Sequence, residues 1–343
     1  MNIKLMLQTI RLTIGKLILD KKTPKNSTAL SPKKILFLRQ DGKIGDYIVS
    51  SFIFREIKKF NSEIKIGVVC TTKDAYLFKQ NPHIDQLYFV KKRSILDYIK
   101  SGLALAKEKY DVVIDPTLLI RNRDLLLLRL INAKNYIGYK KQNYKLFNFS
   151  INQNQLHFSK VYAEAIKLCG VENIDISYDI PNHSDKKEDI VNFIEENHLA
   201  NCIAINFFGA ASSRKFKEKN ICLFIEKLQS ENKKVLLLTY PEVTPLLKSI
   251  SEKYSNAFVY EKTENIFDTI ALLHHSSLVI SPDTSIIHIA SGLNKQIIAF
   301  YKLADKENFT HWNPNCSNET HILFYKENIN ELNPEEIKAE WLN

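Results

Sequence analysis

The sequence predicts an α/β protein made of two doubly wound parallel sheets. Three observations carry this. Short apolar runs alternate with longer helical patterns, which is the signature of repeated β-α-β units. The alternation occurs twice, over about 34–131 and again over 203–300. The 343 residues, 45% of them apolar, suffice for two cores of roughly 100–200 residues each.

In chain order, residues 1–22 place Ile3, Leu7, Ile10, Ile14, Leu17 and Ile18 at helical spacing, with Lys4, Arg11, Lys16, Lys21 and Lys22 interleaved. No apolar run approaches the roughly 18–20 residues of a transmembrane span. A continuous apolar core with a small-residue cleavage site, as in a signal peptide, is missing. The pattern fits a basic amphipathic helix, either lying on a membrane surface or docked on the domain. Thr23-Pro-Lys-Asn-Ser-Thr28 reads as a linker. Strands follow at 34–39, 64–69, 87–90 and 112–114, with helices at about 46–60, 73–79, 94–108 and 121–131. Residues 150–200 read as a polar, helical connection. The second series has strands at 203–208, 235–239, 257–260, 277–281 and 296–300, with helices at 219–231, 243–253, 265–275 and 284–292. Residues 333–341 read as a terminal helix. The expected organisation is a helix over 1–25, domains over 33–180 and 181–325, and a C-terminal helix over 326–343. A cleft between the domains is a usual place for a site.

Lys and Arg outnumber Asp and Glu by 48 to 38, a net charge of +10 that points to an anionic partner. No helix-turn-helix, RRM or zinc-finger signature accompanies it, so no nucleic-acid partner is expected. The five cysteines are scattered without a C-x-x-C pair, which argues against a disulfide frame or zinc site.

Four segments could carry chemistry. Ser281-Pro-Asp283-Thr284-Ser285-Ile-Ile-His288 joins a strand's carboxyl end to a helix N-terminus, where open α/β sheets bind anions. Thr284 and His288 are four apart on one helix face; taken alone, this is equally the pattern of a capped helix with a packed histidine. Gly209-Ala-Ala-Ser212-Ser213-Arg214-Lys215-Phe216 follows a strand with small residues and then two cations, which suits a pyrophosphate. Glu242, past the next strand, is placed to hold ribose hydroxyls. Gln40-Asp-Gly42-Lys43-Ile-Gly45-Asp46 forms the first strand-to-helix turn, with Asp46 expected at the helix start facing the cleft. There is no D-x-D pair for a nucleotide-bound metal, no H-E-x-x-H, and no placed G-x-S-x-G elbow.

In this order the segments resemble glycosyltransferase family 9, the bacterial lipopolysaccharide heptosyltransferases, over roughly residues 34–303. The family's R-x-D-x-x-G-D element matches Arg39…Asp46, its basic loop matches Gly209…Phe216, and its S-x-D-T-G-x-x-H-x-A element matches Ser281…Ala290. Three departures stand out: one extra residue between Arg39 and Ile44, Ser285 for the usual glycine, and Phe216 for the usual tryptophan.

The resemblance implies a GT-B fold, two Rossmann-like domains facing across a cleft. It implies inverting transfer of heptose from ADP-L-glycero-D-manno-heptose to the inner core on lipid A, without a metal cofactor, at the cytoplasmic face of the inner membrane. By residue match it makes Asp46 the general base. Ser212, Ser213, Arg214, Lys215, Asp283, Thr284 and Ser285 become donor-phosphate and sugar contacts, Glu242 a ribose contact, and His288 a support for its helix. Gly42, Lys43, Gly45, Arg121 and Arg123, with Lys91-Lys92-Arg93, are expected on the acceptor side. The same fold also admits another nucleotide-sugar donor, a nucleotide-sugar epimerase, or a non-catalytic binder of nucleotide sugars or glycans.

Overall fold

A computed structural model describes residues 3–22, 30–40, 42–91 and 93–342. The expected linker at 23–28, Asp41 and Lys92 lie outside the described residues. The chain divides into two compact units, Met1–Ile176 and Ser177–Asn343.

The first unit runs α1 (Ile3–Leu19), β1 (Lys34–Arg39), α2 (Ile44–Ser50), α3 (Phe52–Phe60), β2 (Lys65–Cys70), α4 (Ala75–Lys79), β3 (Gln86–Phe89), α5 (Ile95–Glu108), β4 (Val112–Asp115), α6 (Asn122–Ile131), β5 (Asn135–Tyr139), β6 (Phe149–Ile151) and α7 (Phe158–Lys167). Its strands pair in parallel in the order β3-β2-β1-β4-β5-β6. β1 and β4 are central and buried on both faces, hence their unbroken apolar runs. α5 and α6 cover one face through a core containing Leu36, Leu105, Val113, Leu127 and Tyr136.

Two expectations need correction here. The helix expected at 46–60 is two helices meeting at Ser51. The Ser50 hydroxyl donates to the carbonyls of Asp46 (2.8 Å) and Tyr47 (3.0 Å), and the Ser51 hydroxyl to that of Ile48 (2.7 Å). Paired serines bonding back into the preceding turn disturb the regular ladder. The segment from 150 is also not a plain connection: β6 completes the sheet, and α7 packs on α2 and α3. Buried Arg39, at the end of β1, donates to the Tyr162 hydroxyl on α7 and to Ser50 Oγ on α2 (3.2 Å). Glu56 accepts the backbone N–H of Asp175 (3.2 Å), which holds the segment after α7 on the same unit.

The second unit runs α8 (Lys187–Glu196), β7 (Cys202–Ile205), α9 (Glu218–Ser230), β8 (Val235–Leu237), α10 (Thr244–Ser251), β9 (Ala257–Phe258), α11 (Ile266–His274), β10 (Ser276–Pro282), α12 (Ser285–Gly292), β11 (Gln296–Lys302), α13 (Lys306–Trp312) and β12 (Thr320–Tyr325). The strands pair in parallel in the order β12-β11-β10-β7-β8-β9. α13 and β12 were not foreseen from the sequence.

The expected C-terminal helix is replaced by three short 3₁₀ turns, Ile329–Glu331, Pro334–Glu336 and Ala339–Leu342. Asn328 with Glu331, and Asn333 with Glu336, each close a capping box. Each Asn starts a turn that ends before the next begins, so no helix propagates. Ile329, Leu332, Ile337 and Leu342 nonetheless bury in the core beside Ile225 and Phe300.

In each sheet the chain winds outward from one central strand and returns to start again on its other side. The reversal falls between β1 and β4 in the first unit and between β7 and β10 in the second. Crevices outside the carboxyl ends of the strands at such points are where doubly wound sheets bind ligands. All five cysteines are free thiols. Burial pushes those of Cys70 and Cys169 up to about 12 and that of Cys202 up to about 11, which suits packing rather than nucleophilic chemistry.

Candidate active site

In the second unit, polar side chains converge where β7 and β10 end side by side. Asn206, buried just past β7, donates from Nδ2 to Ser281 Oγ (3.0 Å) and Thr284 Oγ1 (3.3 Å), and its Oδ1 accepts the N–H of Phe208 (3.1 Å). Thr284 caps α12, its hydroxyl accepting the N–H of Ile286 (3.3 Å). The two crevice walls are thus tied by hydrogen bonds before any ligand arrives.

The loop after Asn206 is tightly closed. The Gly209 N–H donates to the Arg214 carbonyl (2.8 Å), and Phe216 N–H to the Phe207 carbonyl (3.0 Å). A Cβ on Gly209 would stand 2.6 Å from Arg214 Cβ and 2.9 Å from Arg214 O, so this crossing needs glycine. Phe216 is buried edge-on against Phe207, Phe224 and Phe300 and anchors the loop. Asn330 clamps its far end, donating to the Lys215 carbonyl (2.9 Å) and accepting the Lys217 N–H (2.7 Å).

So held, Arg214 reaches Asp283: Nη1 donates to Oδ2 at 2.6 Å and to the Asp283 carbonyl at 3.3 Å, while Nη2 lies 3.7 Å from Asp305 Oδ2. Asn308 donates to the same Asp283 oxygen (2.8 Å). Burial pushes the Asp283 carboxyl above its ordinary value, against the opposing pull of Arg214 and Asn308. Asn206, Asp305 and Asn308 escaped the sequence reading. Asp305 and Asn308 belong to the start of α13, and Asn206 had signalled only as the end of an apolar run.

The other expected donor residues fall around this cluster. Ser213 is half-buried, Ser212 and Lys215 are exposed, and Ser285 is half-buried at the first position of α12. Glu242 is exposed in the turn after β8, the strand next to β7. Its neighbour Tyr240 packs edge-on at 6.1 Å against Phe208, at the root of the Gly209 loop. His288 points inward, buried against Trp312 with ring centroids 5.7 Å apart. Through this contact α12 packs against α13.

In the first unit, Asp46 lies in the first turn of α2, with Lys43 Nζ 3.8 Å from its Oδ2. Gly42 takes a left-handed φ of 67°, which turns the chain out of β1, and Gly45 is the second residue of α2. Lys43, Arg121 and Arg123 line one cavity of about 260 Å³ with Gln40, Asp115 and Asp124, beside the β1/β4 reversal. The lining residue Thr117 is held by Lys141, whose buried ammonium donates to the carbonyls of Thr117, Leu118 (3.0 Å) and Tyr139 (2.9 Å). Lys91 and Gly42 line a separate cavity of about 600 Å³. No group of three or more His, Cys, Asp or Glu side chains among the described residues could hold a metal ion.

The sequence profile of Glycosyltransferase family 9 (heptosyltransferase) matches residues 99–336. The chain belongs to this family. It is therefore a glycosyltransferase. Among its relatives, the Escherichia coli (strain K12) protein named "Putative lipopolysaccharide heptosyltransferase 4" is 23% identical over 304 residues, 85% of this chain and 81% of that one. A family 9 glycosyltransferase structure from Veillonella parvula DSM 2008 superposes with a TM-score of 0.70 at 18% identity, covering 87% of this chain and 88% of its own. The E. coli ADP-heptose lps heptosyltransferase II superposes with a TM-score of 0.66 at 14% identity, covering 90% and 97%. These likenesses identify the fold as GT-B, two Rossmann-like α/β units.

Proposed function

We propose that this family 9 transferase moves a heptose from ADP-L-glycero-D-manno-heptose to the inner core of a lipid A-linked acceptor, with inversion and without a metal ion. One observation carries the donor half. At the β7/β10 reversal, a guanidinium held at 2.6 Å by a partly buried carboxylate sits beside a capped helix N-terminus. A guanidinium, the neighbouring Lys215 and backbone donors at one point suit a diphosphate, and they stabilise it most as it leaves carrying extra charge. Arg214, Lys215 and the start of α12 thereby serve where other transferases use a cation. Ser212, Ser213 and Ser285 line the phosphate path, and Glu242 takes the ribose hydroxyls. The name of the E. coli relative, an ADP-heptose transferase, supports ADP-heptose as donor.

Asp46 removes the proton from the acceptor hydroxyl as that oxygen attacks the anomeric carbon. The Lys43–Arg121–Arg123 cavity receives acidic groups of the acceptor. The enzyme works at the cytoplasmic face of the inner membrane as a peripheral protein; no described helix is long and apolar enough to cross a membrane.

Transfer assays test this. EDTA-treated enzyme should keep its rate, and a loss restored by a divalent ion would overturn the metal-free account. Asp46→Asn should lower kcat about 100-fold or more with ADP affinity kept; near-normal turnover would remove Asp46 as base.

A further inference from the structure

We propose that α1 is an in-plane membrane helix, rigidly docked on the first unit, whose outward apolar face enters an anionic bilayer surface and fixes which side of the enzyme meets it. Met6, Ile10, Ile14, Leu17 and Ile18 are 41%, 46%, 52%, 78% and 63% exposed. Their spacing places them on one helical face. An amphipathic helix of a water-soluble unit ordinarily turns its apolar stripe to the core; here that stripe faces out.

The helix is held from its other side by Leu19, which packs on the first unit's core, and by polar and backbone contacts. Asn122 on α6 donates to the Arg11 carbonyl (2.7 Å). Gly15 lies so close to Asn122 that a Cβ would stand 2.2 Å from the amide group. Lys16 sits over the Tyr144 ring at 4.3 Å. Buried Asp20 accepts the backbone N–H groups of Lys145 and Leu146, both at 2.9 Å. These contacts fix the helix rotation, so the apolar face has a set direction.

Charge selects the occupant. The sequence between Ile3 and Leu19 holds Lys4, Arg11 and Lys16 and no acid; Lys16 is turned to Tyr144, and exposed Arg11 is left on the outward side. The acid that follows, Asp20, is engaged by two backbone amides, and exposed Lys21 and Lys22 come next. An apolar face with cationic flanks suits anionic headgroups over acyl chains. A second copy would bring like charges together. Asn122, which clamps the helix, lies between Arg121 and Arg123 of the cavity assigned above to the acceptor. The helix therefore sets that cavity near the headgroup plane, a consequence that rests on the acceptor reading; membrane binding itself does not.

The test uses the full chain and Ile10→Ser/Ile14→Ser/Leu17→Ser, three exposed positions. The wild type should co-sediment with phosphatidylglycerol/phosphatidylethanolamine vesicles and not with phosphatidylcholine vesicles. The triple variant should lose about tenfold or more of that binding, with unchanged Tm and an unchanged rate on a lipid-free core oligosaccharide. Equal partitioning of both proteins would overturn the proposal. So would a wild-type dimer in sedimentation velocity that the triple variant abolishes, since a second copy would then cover the face. Vesicle binding with no heptose transfer to any core acceptor would overturn the heptose-transfer reading and leave this one standing.

Discussion

At the scale of single residues, Arg214 and Thr284 carry the proposed donor site in different ways. Arg214 makes charge-assisted bonds in a partly buried setting, and each such bond contributes about 1.5–3 kcal/mol. Arg214→Met should weaken ADP binding roughly 10–100-fold by calorimetry. It should also lower stability, because it leaves Asp283 buried without its cation. Arg214→Lys keeps the charge but not the fork, and should recover stability more than affinity. Thr284→Ala removes a helix cap and one arm of the Asn206–Ser281 network; a loss of about 1 kcal/mol in denaturant unfolding is expected, largely restored in Thr284→Ser. Arg214, Asp283 and Thr284 were legible in the sequence, because small residues, a cation pair and a cap after an apolar run have local causes. Asn206, Asp305 and Asn308 were not. Their part comes from strand ends brought together in space, and a single sequence carries no mark of that adjacency.

At the scale of elements, the motif helices and central strands were legible, because buried parallel strands read as continuous apolar runs. β5, β6, α13 and the C-terminal turns were not. β5 mixes Asn135 and Gly138 with aromatics, and β6 is three residues at a sheet edge. The segment 333–341 has helical composition, but the successive Asn-x-x-Glu boxes divide it into short turns. The broken helix at Ser51 has a consequence for Asp46. Arg39 holds Ser50, and Ser50 holds the Asp46 carbonyl, so the end of β1 sets the turn that carries the proposed base. Arg39→Met should therefore lower kcat while leaving ADP affinity, a property of the other unit, within about twofold. Equal loss of both would show a general folding defect instead.

At the scale of the whole molecule, acid stability and chemistry separate. Asp111 accepts the N–H groups of Lys33 (2.8 Å) and Lys34 (3.0 Å) and pairs with Lys134 at 2.6 Å. Burial raises its carboxyl, but Lys134 and these amides outweigh burial and hold it below the ordinary value. Its folded pKa lies below its unfolded one, so its stabilisation is present above the unfolded pKa and is lost as pH falls through the folded value. Asp111→Asn should cost about 1 kcal/mol near neutral pH, roughly 2–4 °C in Tm. The deficit should shrink towards strongly acidic pH; a constant deficit would remove ionisation as its cause. The group transferred defines the activity of the whole molecule. The most direct measurement is product mass from purified enzyme, a truncated core acceptor and a panel of ADP-heptose with ADP-, GDP- and UDP-hexoses. The expected result is an acceptor one heptose heavier with ADP-heptose and no product of comparable yield from the hexose donors. Transfer from a hexose donor in place of heptose, or interconversion of the free nucleotide sugar without acceptor, would contradict it.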